Sequence, residues 1–157
     1  GVKVLPVVTA DEMYEECARL IAGVDIAVFA AAVADFTPMD PKAVKVKRGK
    51  EEWDIRLKPT RDIAAEMGRQ KKDGQFFIGF ALESENGLEF AKRKLLTKNL
   101  DLIVLNYAGE EGAGFGTDTN RVTLIDREQK PEEYELKPKS EVADMLVERV
   151  KKMMHDA

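Results

Sequence analysis

Asp35 closes the apolar run 26–34 and is followed by a proline-broken stretch carrying Lys45, Lys47 and Arg48; a second cationic group, Lys92, Arg93, Lys94 and Lys98, comes later. The carboxylate stands beside the small side chains of Ala30, Ala31 and Ala32, at the carboxyl end of a strand, where open α/β sheets bind ligands. Asp35 there could hold a ribose hydroxyl, a base amino group or a cation, and lysines on a mobile flap could close over phosphate or carboxylate groups. Plainer readings stand beside these. Asp commonly initiates turns, and lysines on an edge strand discourage aggregation. Lys94 and Lys98, four apart, share a helical face that could simply be solvated, although a bound polyphosphate would relieve their repulsion.

Three further groups are candidates. Arg61, Asp62, Ile63 and Ala64 open a helix after Pro59-Thr60, so their free backbone amides could bind an anion, as any helix start could. Phe80 is either core or an aromatic surface for a base, and Glu83 is either catalytic or a turn residue. His155 lies in a C-terminal stretch expected to fray. The sequence has no Walker loop, Gly-x-Gly-x-x-Gly fingerprint, nucleophile elbow or histidine metal motif, and covalent Ser or Cys catalysis is not supported.

These side chains need a scaffold, and the apolar runs provide one. Residues 2–8 read as a buried strand; residues 10–21 read as a helix capped by Thr9 with Glu12 three residues on, burying Met13, Cys17, Leu20 and Ile21 and ending at Gly23. Residues 26–34 read as a strand buried on both faces. Alternating stretches at 43–47 and 53–58, separated by residues 49–52, predict a β-ribbon projecting from the sheet. A helix capped by Thr60 over 60–72, a strand over 76–82, a helix over 87–98 and a strand over 100–105 continue a doubly wound pattern. Beyond a glycine-rich loop at 109–116, residues 121–126 and 133–137 predict an antiparallel edge hairpin, and residues 140–154 an amphipathic helix. The expected fold is α/β: a Rossmann-like three-layer sandwich with a mostly parallel sheet, a projecting ribbon flap and an edge hairpin, in one domain over 1–157.

Composition limits the partners. A chain that is 44% hydrophobic and 34% charged, with a formal net charge of -4, has no global basic field to attract nucleic acid. Its single cysteine, Cys17, cannot form an intrachain disulfide, which fits a reducing cytoplasm. The longest apolar run, 26–34, is far below the ~20 residues a membrane helix needs.

Several blocks together resemble the phosphopantothenoylcysteine synthetase domain of bacterial coenzyme A biosynthesis, usually the C-terminal half of a bifunctional synthetase/decarboxylase. They are Val8-Thr9-Ala10-Asp11-Glu12-Met13, Ala31-Ala32-Val33-Ala34-Asp35-Phe36, Lys45-Val46-Lys47-Arg48, Leu57-Lys58-Pro59-Thr60-Arg61-Asp62-Ile63 and Gly79-Phe80-Ala81-Leu82-Glu83-Ser84-Glu85-Asn86. The pattern continues through Ala91-Lys92-Arg93-Lys94, Lys98-Asn99-Leu100-Asp101, Asn106 and Gly114-Phe115-Gly116-Thr117-Asp118-Thr119-Asn120. The resemblance implies a ligase that activates 4'-phosphopantothenate with CTP, releasing pyrophosphate, and passes the acyl group from an acyl-cytidylate to L-cysteine. It implies Mg2+ and a homodimer. By position it assigns CTP contacts to Asp35, Lys45, Arg61, Asp62, Ile63, Ala64, Phe80, Lys94 and Lys98, with Ala31 and Ala32 lining the site, and it gives Lys45 a catalytic role over the phosphates. Family members begin with a further strand and a Ser-Asn-x-Ser-Ser-Gly-like phosphate loop, so this chain resembles an N-terminally shortened domain. The decarboxylase half, and with it FMN, is not expected here. A non-catalytic nucleotide-binding or regulatory module is the alternative; a Rossmann-like oxidoreductase is disfavoured by the missing glycine fingerprint.

Overall fold

The computed structural model describes residues 1–157 except 50, 51, 110, 111, 115, 156 and 157. Helix α1, Ala10–Leu20, begins where the sequence places it: the Thr9 hydroxyl accepts from the Glu12 amide, and the Glu12 carboxylate accepts from the Val8 and Thr9 amides. A short 3-10 turn, Ile21–Gly23, carries the chain into strand β1, Ile26–Phe29. Strands β2, Phe36–Pro38, and β3, Leu57–Pro59, pair antiparallel as a separate two-stranded ribbon. Helix α2, Ile63–Gln70, strand β4, Phe76–Glu83, helix α3, Gly87–Thr97, and strand β5, Leu102–Tyr107, follow. Strands β6, Thr119–Asn120, β7, Thr123–Asp126, β8, Pro131–Glu133, and β9, Lys137–Pro138, lead into helix α4, Lys139–His155.

The central sheet has the order β1-β4-β5-β7-β8. Its first three strands are parallel, β7 adds antiparallel to β5, and β8 adds antiparallel to β7. Alternate side chains of β4 and β5 point to opposite faces, and each face has its own core. Phe77, Ala81, Ile103 and Leu105 pack with Met67 of α2 and Ala91 and Leu95 of α3, while Met13, Tyr14 and Cys17 of α1 lie against the same cluster. On the other face Phe76, Ile78, Leu102, Val104 and Leu124 pack with Val142 and Val150 of α4. The result is the expected three-layer α/β sandwich, with three helices on one face and the C-terminal helix on the other.

Several boundaries differ from expectation. Residues 2–8 form no strand, and Val2, Val4 and Val8 are exposed. Apolar alternation needs a neighbouring strand to complete the hydrogen-bond ladder, and among the described residues none pairs there. The run 26–34 is a strand only to Phe29 and is buried on one face: Ala27 and Phe29 pack inward, whereas Ile26 and Val28 are exposed. β1 is the sheet's edge, so α4 does not reach over it. Leu20, expected inside α1, is also exposed.

The ribbon exists, but its paired strands are Phe36–Pro38 and Leu57–Pro59, and residues 43–47 are outside any strand. Part of the expected turn, residues 50 and 51, lies outside the described residues, as does Phe115 of the glycine-rich motif. The edge hairpin is β7 with β8, while Lys137 leaves it to pair with Asn120 in a second small ribbon. No helix among the described residues is long and apolar enough to cross a membrane.

A part-buried polar knot fixes the sheet's amino-terminal edge. The Asp101 carboxylate accepts from Lys71 Nζ at 2.6 and 2.5 Å and from the Phe77 amide at 2.6 Å, and Arg127 Nε lies 3.2 Å away. Three donors on one carboxylate satisfy a charge pair that would otherwise be costly to bury. α2, β4 and β5 are thereby held in one register at the end opposite the ligand edge.

Candidate functional site

The ribbon stem places Asp35. The Thr60 amide donates to the Asp35 carbonyl at 2.9 Å, and the Thr60 hydroxyl donates to the Ala34 carbonyl at 2.5 Å. These bonds draw the end of the alanine stretch to the chain entering α2. Thr60 is therefore not the helix cap, as its position suggested. Asp62 is: its carboxylate accepts from the Ala65 amide at 3.1 Å, a role short acidic side chains fill well.

Asp35 and the α2 start face a cleft of about 280 Å³ at the carboxyl ends of β1 and β4. Its lining includes Ala31, Asp35, Arg61, Asp62, Ile63, Ala64, Phe80, Lys94 and Lys98. These come from four separated parts of the sequence, and β1 pairing with β4 at Phe29 and Gly79 helps to bring them together. Met13 and Cys17 supply the wall from α1. Ala32 lines an adjoining cleft of about 390 Å³, which shares Met13, Ala31, Val33 and Thr60 with the first and is also lined by Val8 and Thr9. Lys45 is exposed and lines neither cleft.

The cleft's charges are paired across elements. Lys94 Nζ lies 2.5 Å from Glu83 Oε1, and Lys98 Nζ lies 3.0 and 2.9 Å from the two Asp62 oxygens. Arg61 turns instead toward α1, stacking over the Tyr14 ring at 4.5 Å with Asp11 3.8 Å away. Burial pushes the Asp62 carboxyl upward, but the Lys98 and Ala65 hydrogen bonds, with the charges of Lys98 and Arg69, outweigh it and hold the group below its ordinary value. A lowered folded-state value contributes stability at pH above the unfolded value and loses it as pH falls through the folded one. Acid titration should therefore show wild type losing more stability than Asp62→Asn below about pH 4; parallel curves would contradict the pairing. Burial, with the Glu16 charge adding, raises the Cys17 thiol, which keeps it protonated near neutrality and unsuited to nucleophilic attack.

Lys98 reaches Asp62 because α2 and the end of α3 touch. Gly68 lies on α2 where a Cβ would sit 2.0 Å from the Lys98 carbonyl oxygen, and Asn99 Nδ2 donates to the Gly68 carbonyl at 2.9 Å. Asn99 itself adopts φ 53, a left-handed conformation that ends the helix. Sequence reading missed this junction and also the pairing role of Glu83. Met13 and Cys17 carried only a helical-periodicity signal, which does not separate core from cleft wall.

Residues 1–154 match the family described as the DNA/pantothenate metabolism flavoprotein C-terminal domain. The chain belongs to this family. A cysteine/cysteine sulfinic acid decarboxylase from an unknown prokaryotic organism is 46% identical over 154 residues, 98% of this chain and 43% of that protein. The coenzyme A biosynthesis bifunctional protein CoaBC of Bacillus subtilis (strain 168) is 38% identical over 146 residues, 93% of this chain and 36% of that protein. The chain thus spans about two fifths of the curated relatives it matches. Among solved structures, the C-terminal domain of a CoaBC protein superposes with a TM-score of 0.79 at 34% identity, covering 99% of this chain and 70% of that one. A Cab2 mutant in complex with phosphopantothenate-cysteine has a TM-score of 0.68 at 18% identity, covering 97% of this chain and 54% of that one, and shares the family's fold.

Proposed function

We propose that this chain is the nucleotide-dependent ligase domain of a coenzyme A biosynthesis enzyme, joining 4'-phosphopantothenate to L-cysteine through an acyl-cytidylate made with CTP. The observation that carries this reading is the convergence of Asp35, the α2 start, Phe80, Lys94 and Lys98 on one cleft at the sheet's carboxyl edge. Attack of a carboxylate on a triphosphate builds negative charge on the α-phosphate and on departing pyrophosphate, and ammonium groups fixed in a cleft stabilise that charge. No covalent enzyme intermediate is needed. The adjoining cleft, sharing Ala31 and Thr60, offers room for the acyl substrate beside the nucleotide.

Among the described residues no group of three or more His, Cys, Asp or Glu could cage a metal ion. Mg2+ keeps waters and phosphate ligands and takes few protein carboxylates, and Asp35, which lines the cleft, could offer it one oxygen. The ribbon region exposes Phe36, Trp53, Ile55 and Leu57, an apolar surface that a second copy of the chain would cover in a homodimer. The other partners in this reading are a fused decarboxylase half and a cytoplasmic setting.

The test is pyrophosphate release from CTP and 4'-phosphopantothenate, with and without cysteine, by the full-length protein containing this chain. Pyrophosphate formation followed by cysteine-dependent product is expected. A full-length protein inert with these substrates overturns the ligase reading, and CTP binding without turnover would make the domain a nucleotide-binding module.

A further inference from the structure

The two cleft lysines are not bare cations: each is held by a carboxylate from a different element. Glu83 is the last residue of β4, its side chain only 15% exposed, and its backbone carbonyl accepts from the Ala108 amide at 2.8 Å. It is thus fixed on the sheet, whereas Lys94, on α3, is 38% exposed toward the cleft. Asp62 is fixed likewise, as the cap of α2, while Lys98 comes from the end of α3. Asp62 lines the cleft in which a phosphate chain would have to meet these ammonium groups, and Glu83 is tied to it through Lys94, itself a lining residue.

We propose that Glu83 and Asp62 are resident counter-ions that occupy Lys94 and Lys98 until a polyphosphate displaces them, so that they set the cleft's selectivity by ligand charge. This rests on the reading of the cleft as a nucleoside triphosphate site. An ammonium has three donors and no acceptor, and a carboxylate gives it one negative charge; a triphosphate brings several charges and more acceptor oxygens to the same position. Exchange therefore favours polyphosphates, while a singly charged or neutral ligand cannot repay two broken ion pairs. In the resting protein the same pairs cancel the mutual repulsion of Lys94 and Lys98, which are neighbours on one helical face.

The counter-ion role makes a prediction opposite to that of a positioning role. Glu83→Gln and Asp62→Asn keep side-chain shape, and Asn caps a helix about as well as Asp, so both variants should retain the fold. Dissociation constants for CTP and for uncharged cytidine are measured on the full-length protein, with unfolding midpoints as the check on folding. Each variant should bind CTP about two- to fivefold tighter. The double variant should bind CTP tighter than either single variant, with non-additive gains because Lys94 and Lys98 are neighbours that share the ligand, and cytidine affinity should not move. Weakened or unchanged CTP binding in folded Glu83→Gln, or parallel shifts for CTP and cytidine, overturns the proposal. Wild type that fails to bind CTP at all overturns the nucleotide reading itself, and this proposal with it.

Discussion

Gly68→Ala should destabilise the protein by about 2 kcal/mol, the net of a helix-propensity gain of ~1 kcal/mol and an overpacking cost of ~3 kcal/mol. In an exposed helix the same change would stabilise, because glycine carries more chain entropy to lose than alanine. Here the new Cβ would lie 2.0 Å from the Lys98 carbonyl oxygen and 2.8 Å from its carbonyl carbon. Neither is the end of a flexible side chain, so α2 and the α3 terminus must separate. That movement would also loosen the Asn99 to Gly68 hydrogen bond and pull Lys98 from Asp62. Urea unfolding measures the loss, with Gly23→Ala as the control, since no atom lies within 4 Å of a Cβ at Gly23. A Gly68→Ala protein as stable as wild type would show that the helices do not approach so closely.

What the sequence made legible follows from how local each signal is. The α1 start was readable because Thr9 and Glu12 satisfy each other's orphan amides within one turn. The strands β4 and β5 were readable because continuous apolar runs suit a sheet covered on both faces, and both carry residues of two cores. The same rule failed at residues 26–34, since an edge strand can have an identical composition with one face uncovered. Residues 2–8 failed for a related reason: strand pairing is a property of two segments, and an apolar run in one does not create the other. At the site, residue types revealed cations and a carboxylate, but not that Glu83 and Asp62 would hold the lysines. Those contacts, |i−j| of 11 and 36, depend on how the helices dock on the sheet. Thr60 shows the limit most plainly, because its hydroxyl chooses a distant carbonyl over the helix it precedes.

Lys45→Gln should slow pyrophosphate release about 100-fold, within the range seen when one charge-stabilising donor is removed, while CTP affinity changes less than about threefold. The separation of the two effects follows from where Lys45 stands. Lys94 and Lys98 line the cleft and can meet a nucleotide as it binds, but Lys45 is exposed and outside the lining, on the stretch between β2 and β3. A group outside the resting cleft contributes little to the first encounter and can act only once its segment folds over the reacting phosphates. Such an interaction lowers the transition state more than the bound ground state. Closure would also exclude water, which would otherwise hydrolyse an acyl-cytidylate. Lys94→Met provides the contrast: losing a cation already in the cleft should weaken CTP binding itself. Single-turnover pyrophosphate release and equilibrium CTP titration on the full-length protein separate the two lysines. Equal losses of rate and affinity in Lys45→Gln would deny it a transition-state role, and an unchanged rate would remove Lys45 from the chemistry and leave it a solvated loop residue.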